Sequence, residues 1–171
     1  MAAGNTYVAI ATNTVSGSST SSVSFSSIAS TYTDLIVVFS GKLSIASESI
    51  FVRFNSNTGT NYSAVWMWGN GTSANSNTRS SQTFLPTAWF TGYDSTNENN
   101  LIFNVQNYSN STANKTVLFR QNNAGSGGTP AAVAGVGLWA QTSAINAIEF
   151  YTSAGVYTAG ATFSLYGITA A

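Results

Sequence analysis

The chain has 171 residues with five acidic and five basic side chains, no histidine, no cysteine and a formal net charge of zero. General acid–base catalysis, thiolate chemistry and most transition-metal sites draw on His, Cys or clustered carboxylates, so the composition argues against an enzyme. No catalytic residue, cofactor or metal is expected.

The basic residues Lys42, Arg53, Arg79, Lys115 and Arg120 are scattered and form no stripe that would neutralise phosphates, so nucleic acid is not an expected partner. A hydrophobic fraction of 43%, with 13% aromatic residues, is enough for a folded core, and the length fits one domain. Met1-Ala2-Ala3-Gly4-Asn5 lacks the basic and apolar regions of a secretory signal, and the longest apolar run, Leu35 to Phe39, is too short to cross a bilayer. A soluble chain made in a cytoplasm, with no membrane partner, is expected. Without net charge little opposes self-association, so a homo-oligomer is expected, with three copies the leading count.

Period-two alternation and β-branched or aromatic enrichment recur between Ser/Asn/Gly/Thr clusters, which predicts an all-β fold. The first strand falls at Thr6–Thr12 and contains Tyr7-Val8-Ala9-Ile10. The polar stretch after it, Thr12 to Ser22, is weakly patterned, so residues 1–20 read as an N-terminal arm or an edge strand. Residues 21–171 read as one β-sandwich domain. Its strands are expected at Ser22–Phe25, Asp34–Leu43, Ser49–Asn55, Ser63–Trp68, Thr83–Phe90, Leu101–Tyr108, Lys115–Gln121, Ala132–Ala140, Ala147–Tyr151 and Thr162–Ile168. The nearly continuous apolar run in the second of these reads as a central strand covered on both faces, whereas Phe51-Val52-Arg53-Phe54 carries one polar position. Turns are marked by Asn57-Thr58-Gly59, Gly69-Asn70-Gly71, Gly92-Tyr93-Asp94 and Gly125-Ser126-Gly127-Gly128, the last a flexible hairpin. The whole is a single antiparallel β-sandwich, jelly-roll-like, of about ten strands.

Two constellations carry chemistry worth weighing. Trp66-Met67-Trp68, with Trp89-Phe90 and Trp139, supplies rings that either fill the core between sheets or stack on sugars and protein partners. Alternation puts Trp66 and Trp68 on one strand face and Met67 on the other. The carboxylates Asp34, Glu48, Asp94, Glu98 and Glu149 could supply a glycosidase pair only if two flanked a cleft, and Asp94 to Glu98 reads instead as a solvated turn. No spacing resembles a calcium loop or a phosphate loop.

Several segments form a wider pattern. These are Phe25-Ser26-Ser27-Ile28 to Thr33-Asp34-Leu35, Val52-Arg53-Phe54-Asn55 with Thr58 to Ser63, Asn107 to Ser111 with Asn114-Lys115-Thr116, Gly137-Leu138-Trp139 with Ala144-Ile145-Asn146, and Phe163 to Ile168. Together they resemble small β-rich virion proteins of tailed bacteriophages, especially those infecting cyanobacteria and aquatic bacteria. The resemblance covers about residues 23–168 and lies in architecture and turn chemistry, with no catalytic or ligand residues to carry over. It implies a β-sandwich on the capsid exterior, often trimeric, in the role of a capsid cement (decoration) protein or a head or tail appendage. The expectation that follows is a decoration protein that stabilises the assembled major capsid protein lattice, its arm Tyr7, Val8, Ala9 and Ile10 adding a strand to a neighbour. The alternative is a fibre or receptor-binding appendage presenting Trp66, Trp68, Trp89 and Tyr93 to glycans. A hydrolase would need Asp94 or Glu98 beside a second carboxylate.

Overall fold

A computed structural model describes residues 6–17, 20–87, 89, 92–123 and 130–169. The expected glycine-rich hairpin at 125–128, Phe90 and the first five residues lie outside the described residues. The described chain is all-β, with strands β1 Tyr7–Thr14, β2 Ser22–Phe25, β3 Asp34–Gly41, β4 Ile50–Phe54, β5 Tyr62–Gly69 and β6 Ala74–Gln82 in its first half. The second half holds β7 Leu85–Pro86, β8 Asn99–Gln106, β9 Lys115–Asn123, β10 Ala131–Trp139, β11 Ile148–Thr152 and β12 Thr162–Ile168.

These strands make two antiparallel sheets, an eight-stranded one in the order β1-β12-β3-β8-β9-β10-β5-β6 and a four-stranded one in the order β2-β11-β4-β7. The β-sandwich is as the alternation predicts. A jelly roll distributes eight strands over its two sheets, whereas here eight strands face four.

The residues of β3 alternate buried and half-buried along its whole length, with Leu35, Val37 and Phe39 pointing inward. It is central in its sheet, between β12 and β8, but only one of its two apolar faces is covered, which corrects the expectation of burial on both sides. β6 is not among the strands expected from sequence, because Ala-Asn-Ser-Asn-Thr-Arg-Ser-Ser-Gln has no apolar period. It forms the sheet edge, where a strand facing solvent needs none. Among the described residues of the predicted strand Thr83–Phe90 only β7 is a strand, and Pro86 sits where a ladder ends at an edge.

Tyr7 to Ile10 are not a free arm. They begin β1, which pairs with β12 through Tyr7↔Ile168, Val8↔Gly167 and Ala9↔Tyr166, with a bulge between Ala9 and Ala11. The half-buried Ile10 packs against the core, and this anchors the strand to its own domain.

Between the sheets runs a continuous column of rings. Tyr93 meets Phe39 edge-on at 5.9 Å, Phe39 meets Phe163 at 4.7 Å, Phe163 meets Phe150 at 5.4 Å and Phe150 meets Phe103 at 5.5 Å. Phe103 then touches Phe54 at 6.3 Å, Phe54 touches Trp139 at 5.5 Å, and Trp139 stacks on Tyr62 at 6.3 Å. The column draws on β3, β8, β10, β12 and β5 of the large sheet and on β4 and β11 of the small one, so it ties the two layers together. Where the rings need room, β10 supplies glycine: a Cβ on Gly135 would lie 2.3 Å from the Phe119 ring and 2.8 Å from Trp66 Cβ.

Phe150 touches rings of the large sheet on two sides while belonging to the small sheet. Phe150→Ala is therefore expected to cost about 3–5 kcal/mol, the range for emptying a buried aromatic site. Denaturant unfolding monitored by tryptophan fluorescence measures it, and a loss below about 1 kcal/mol contradicts the column's role.

Candidate functional site

Of the four rings considered for glycan contact, Trp66 and Tyr93 are fully buried in the inter-sheet core, which counts against the alternative that presents them to sugars. The cause for Trp66 is the register of β5, which sends Tyr62, Ala64 and Trp66 inward and Val65 and Met67 outward. Tyr93, read as a turn residue, bridges Glu48 in the backbone and hydrogen-bonds through its hydroxyl to Thr87 Oγ1 at 3.2 Å. Burial pushes its phenol well above the ordinary value. Trp68 and Trp89 are half-buried against the core. Trp139, which alternation left undecided, is a core residue.

Trp89 belongs to a second aromatic cluster, on the outer side of the small sheet. Phe51 lies 4.2 Å from Phe84, 5.6 Å from Trp89 and 5.6 Å from Tyr151. Guanidinium groups close it from above: Arg53 lies 4.5 Å over the Tyr151 ring and Arg79 5.0 Å over Trp89. Burial raises the Tyr151 phenol to about 12, with Arg53 opposing. Ring faces already covered by one another and by arginine offer little platform for a sugar.

Asp34, Asp94 and Glu48 accept hydrogen bonds from backbone amides, and Asp94 is buried, which corrects the expectation of a solvated turn there. The Asp94 carboxylate accepts from Thr96 N at 2.7 Å and Asn97 N at 3.2 Å, an Asx turn, and Asn97 Nδ2 reaches its other oxygen at 3.1 Å. Glu48 is buried, and its oxygens accept from Ser49 N at 2.8 Å, Ser153 N at 3.0 Å, Ser153 Oγ at 2.5 Å, Ala154 N at 3.1 Å and Gly155 N at 2.5 Å. Burial alone would raise its pKa, but the bonds from Ser153, Gly155 and Ser49 outweigh it and hold the carboxyl below its ordinary 4.5. Sequence gave no sign of this, because Ser-Glu-Ser in a loop reads as solvated. Among the described residues no group of three or more His, Cys, Asp or Glu side chains stands close enough to hold a metal. Lys115 is buried as well. Its ammonium donates to Ala113 O at 2.6 Å and Thr142 O at 2.9 Å, and burial lowers its pKa.

Two surfaces are left open. The first is the outer edge of β1, a strand with no charged residue and with Tyr7 62% exposed, which among the described residues pairs along β12 only. The second is the outer face of the large sheet. There Val65 (50% exposed), Met67 (65%), Leu118 (43%) and Val136 (50%) stand together, flanked by the half-buried Ile102 and Leu138. Two shallow depressions of about 480 and 370 Å³ meet at Val65, Leu118 and Val136. None of these residues was singled out from sequence, although β3, β5, β8, β9 and β10 all carry apolar residues at both parities, the signal that could have found them.

Comparison with protein-family models, with curated proteins and with solved structures gives no match.

Because the Glu48 pKa is depressed in the folded chain, its stabilisation is complete above the unfolded value near 4.5 and is lost as pH falls through the lower folded value. Glu48→Gln is expected to cost about 1.5–3 kcal/mol at pH 7, since an amide NH₂ faces backbone donors where a carboxylate oxygen accepted them. The cost should shrink below pH 4. Thermal melts of both proteins from pH 3 to pH 7 check this, and a gap that stays constant with pH refutes the charge-based account.

Proposed function

We propose that this chain is a non-enzymatic structural protein of a phage virion, a decoration protein on the capsid exterior that binds the assembled major capsid lattice as a small homo-oligomer. The observation that carries the reading is the β1 edge. It is an uncharged eight-residue strand that has one side unpaired among the described residues, the feature by which a folded domain adds to a neighbouring sheet. Natural edges are usually blunted by charge, as β6 is in part by Arg79, and β1 has none. The resemblance of the turn segments to virion proteins supports the same reading. The contact differs in form from an extended arm: the strand stays in its own sheet and offers its free edge. Copies repeated over a shell need only weak individual contacts, because multivalency multiplies them. An appendage that reads glycans lacks comparable support, since Trp66 and Tyr93 are buried and Trp89 is covered.

A protein that binds only the assembled lattice stabilises it by mass action against the pressure of packaged DNA. Particles lacking it are expected to release DNA at a lower temperature than complete particles and to adsorb normally to cells. Unchanged release with lost adsorption rejects the decoration reading in favour of an appendage. The paired substitution Tyr7→Lys with Ala9→Lys, at two exposed positions, should reduce occupancy on heads at least about tenfold while leaving the melting temperature of the free protein unchanged. Full occupancy by that variant excludes the β1 edge as the contact.

A further inference from the structure

The outer face of the large sheet can be laid out rank by rank from its strand registers. One rank runs Tyr166, Ile36, Asn104, Leu118, Val136 and Val65 across β12, β3, β8, β9, β10 and β5. The next runs Ser164, Val38, Ile102, Arg120, Ala134 and Met67 across the same strands. Nine of these twelve positions are apolar or aromatic, the exceptions being Asn104, Ser164 and Arg120, and a patch of this kind on a soluble domain marks a site of association. With the ranks on either side, which are mostly polar and include Gln106, Thr116, Asn100 and Asn122, six strands and four ranks at ordinary spacing cover about 800 Å², an apolar middle with a polar rim. That is about what each partner contributes to a standard protein interface.

Two details of the face say what covers it. Asn104 sits at its centre, between Ile36 on β3 and Leu118 on β9, and its Oδ1 is shielded from solvent with no hydrogen-bond partner. The outward residues of these strands also include two charges, Asp34 on β3, whose Oδ1 accepts from Asn107 N at 2.6 Å and whose other carboxylate oxygen is the one placed to pair, and Arg120 on β9. Register places them symmetrically about Asn104. Arg120 is one strand to one side and level with Ile102, and Asp34 is one strand to the other side, two residues before Ile36 and so displaced the opposite way. At ordinary strand spacing they are about 17 Å apart, too far to pair within one chain.

We infer that this face is the contact between two copies of the chain, packed sheet to sheet about a twofold axis that passes Asn104. An axis lying in the face, at right angles to the line from Arg120 to Asp34, sets each Arg120 over the Asp34 of the other copy and brings the two Asn104 amides together. Both ion pairs then form at once. The strands of the two sheets cross nearly at right angles, one of the two established ways for sheets to pack. A flat face that meets itself is isologous and closes as a pair, so the unit is a dimer in place of the trimer expected from sequence. A central polar pair in an apolar contact fixes its register, as a buried asparagine does in a coiled coil. The inference concerns the chain alone and does not rest on the virion reading.

Sedimentation of the purified full chain at micromolar concentration is expected to give a dimer, and Val136→Arg a monomer with an unchanged melting temperature. Arg120→Glu should weaken the dimer at least about tenfold, and the double variant Arg120→Glu with Asp34→Arg should recover it, because the pairs are then reversed rather than removed. As the chain has no cysteine, Asn104→Cys gives a clean geometric test: mild oxidation should link two copies there, and should not link them at Met67→Cys, which lies away from the axis. A wild-type monomer or trimer, a Val136→Arg dimer, no recovery in the folded double variant, or cross-linking at Met67→Cys but not at Asn104→Cys overturns the proposal. A monomeric wild type whose Val136→Arg variant loses binding to heads overturns it too, and assigns the face to the capsid.

Discussion

The packing of rings between the sheets is the interaction on which the rest of the molecule depends. With no disulfide available and only ten charged residues, the chain has few other means of holding two layers together. Each contact in the column from Tyr93 to Tyr62 is modest, worth about 0.5–1.5 kcal/mol beyond the burial of the rings themselves. Their number, and the alternation of contributions from the two sheets, make the layers interdependent. Core packing beside the column explains the glycines of β10. Leu85 presses on Gly137 as Phe119 and Trp66 press on Gly135, so large side chains come from the neighbouring strands and none from β10 at those points.

The ends of the sandwich are held by a different device, in which a buried polar side chain satisfies backbone groups that the ladders leave over. Glu48 gathers the amides of residues 153–155. Asn55, itself at a positive φ of 52°, accepts from Asn146 N and Ala147 N and donates to Ala144 O. Asn99 donates to Gly41 O and Asp94 O while its own oxygen accepts from Asp94 N. Lys115 does the same for two carbonyls. Buried polar groups of this kind are tolerable because nearly all their bonds are made, and each joins segments far apart in sequence. The few ionisable groups inside the domain are thereby committed to holding loops, which leaves its chemistry concentrated in surfaces rather than in a cleft.

Most of this fold was legible in the sequence wherever one parity of a strand is large and apolar. Such segments as Asp34–Phe39, Ser63–Trp68 and Thr162–Ile168 announce strands because burial on one side demands that period. Where burial does not demand it, the signal vanishes: β6 is an edge strand of Ser, Asn and Thr, held by its ladder to β5 and by little else. The fate of individual rings was illegible for a related reason. Period two says which residues share a face, but which face turns inward depends on the strand's neighbours, and Trp66 and Met67 exchange places if the register slips by one residue. Glu48 and Lys115 were illegible because their partners are backbone atoms far along the chain.

One misreading is itself informative. The run Leu35 to Phe39 reads as a strand covered on both faces, and the same holds in weaker form for β5, β8 and β10, yet this chain covers only one face of the sheet they form. An outward valine or methionine gives no stability to a monomer, since its burial is never completed, and it exposes the folded protein to aggregation. Polar residues at those positions would leave the ring column intact. β1 and β6, at the two margins of the sheet, carry mostly outward Ala, Thr and Ser, with Tyr7 the exception, where the central strands carry Ile, Val, Leu and Met, so the apolar character is concentrated in the middle of the face. A pattern concentrated in that way, with Asn104 at its centre and two charges set about that asparagine, is ordered like the interior of an interface.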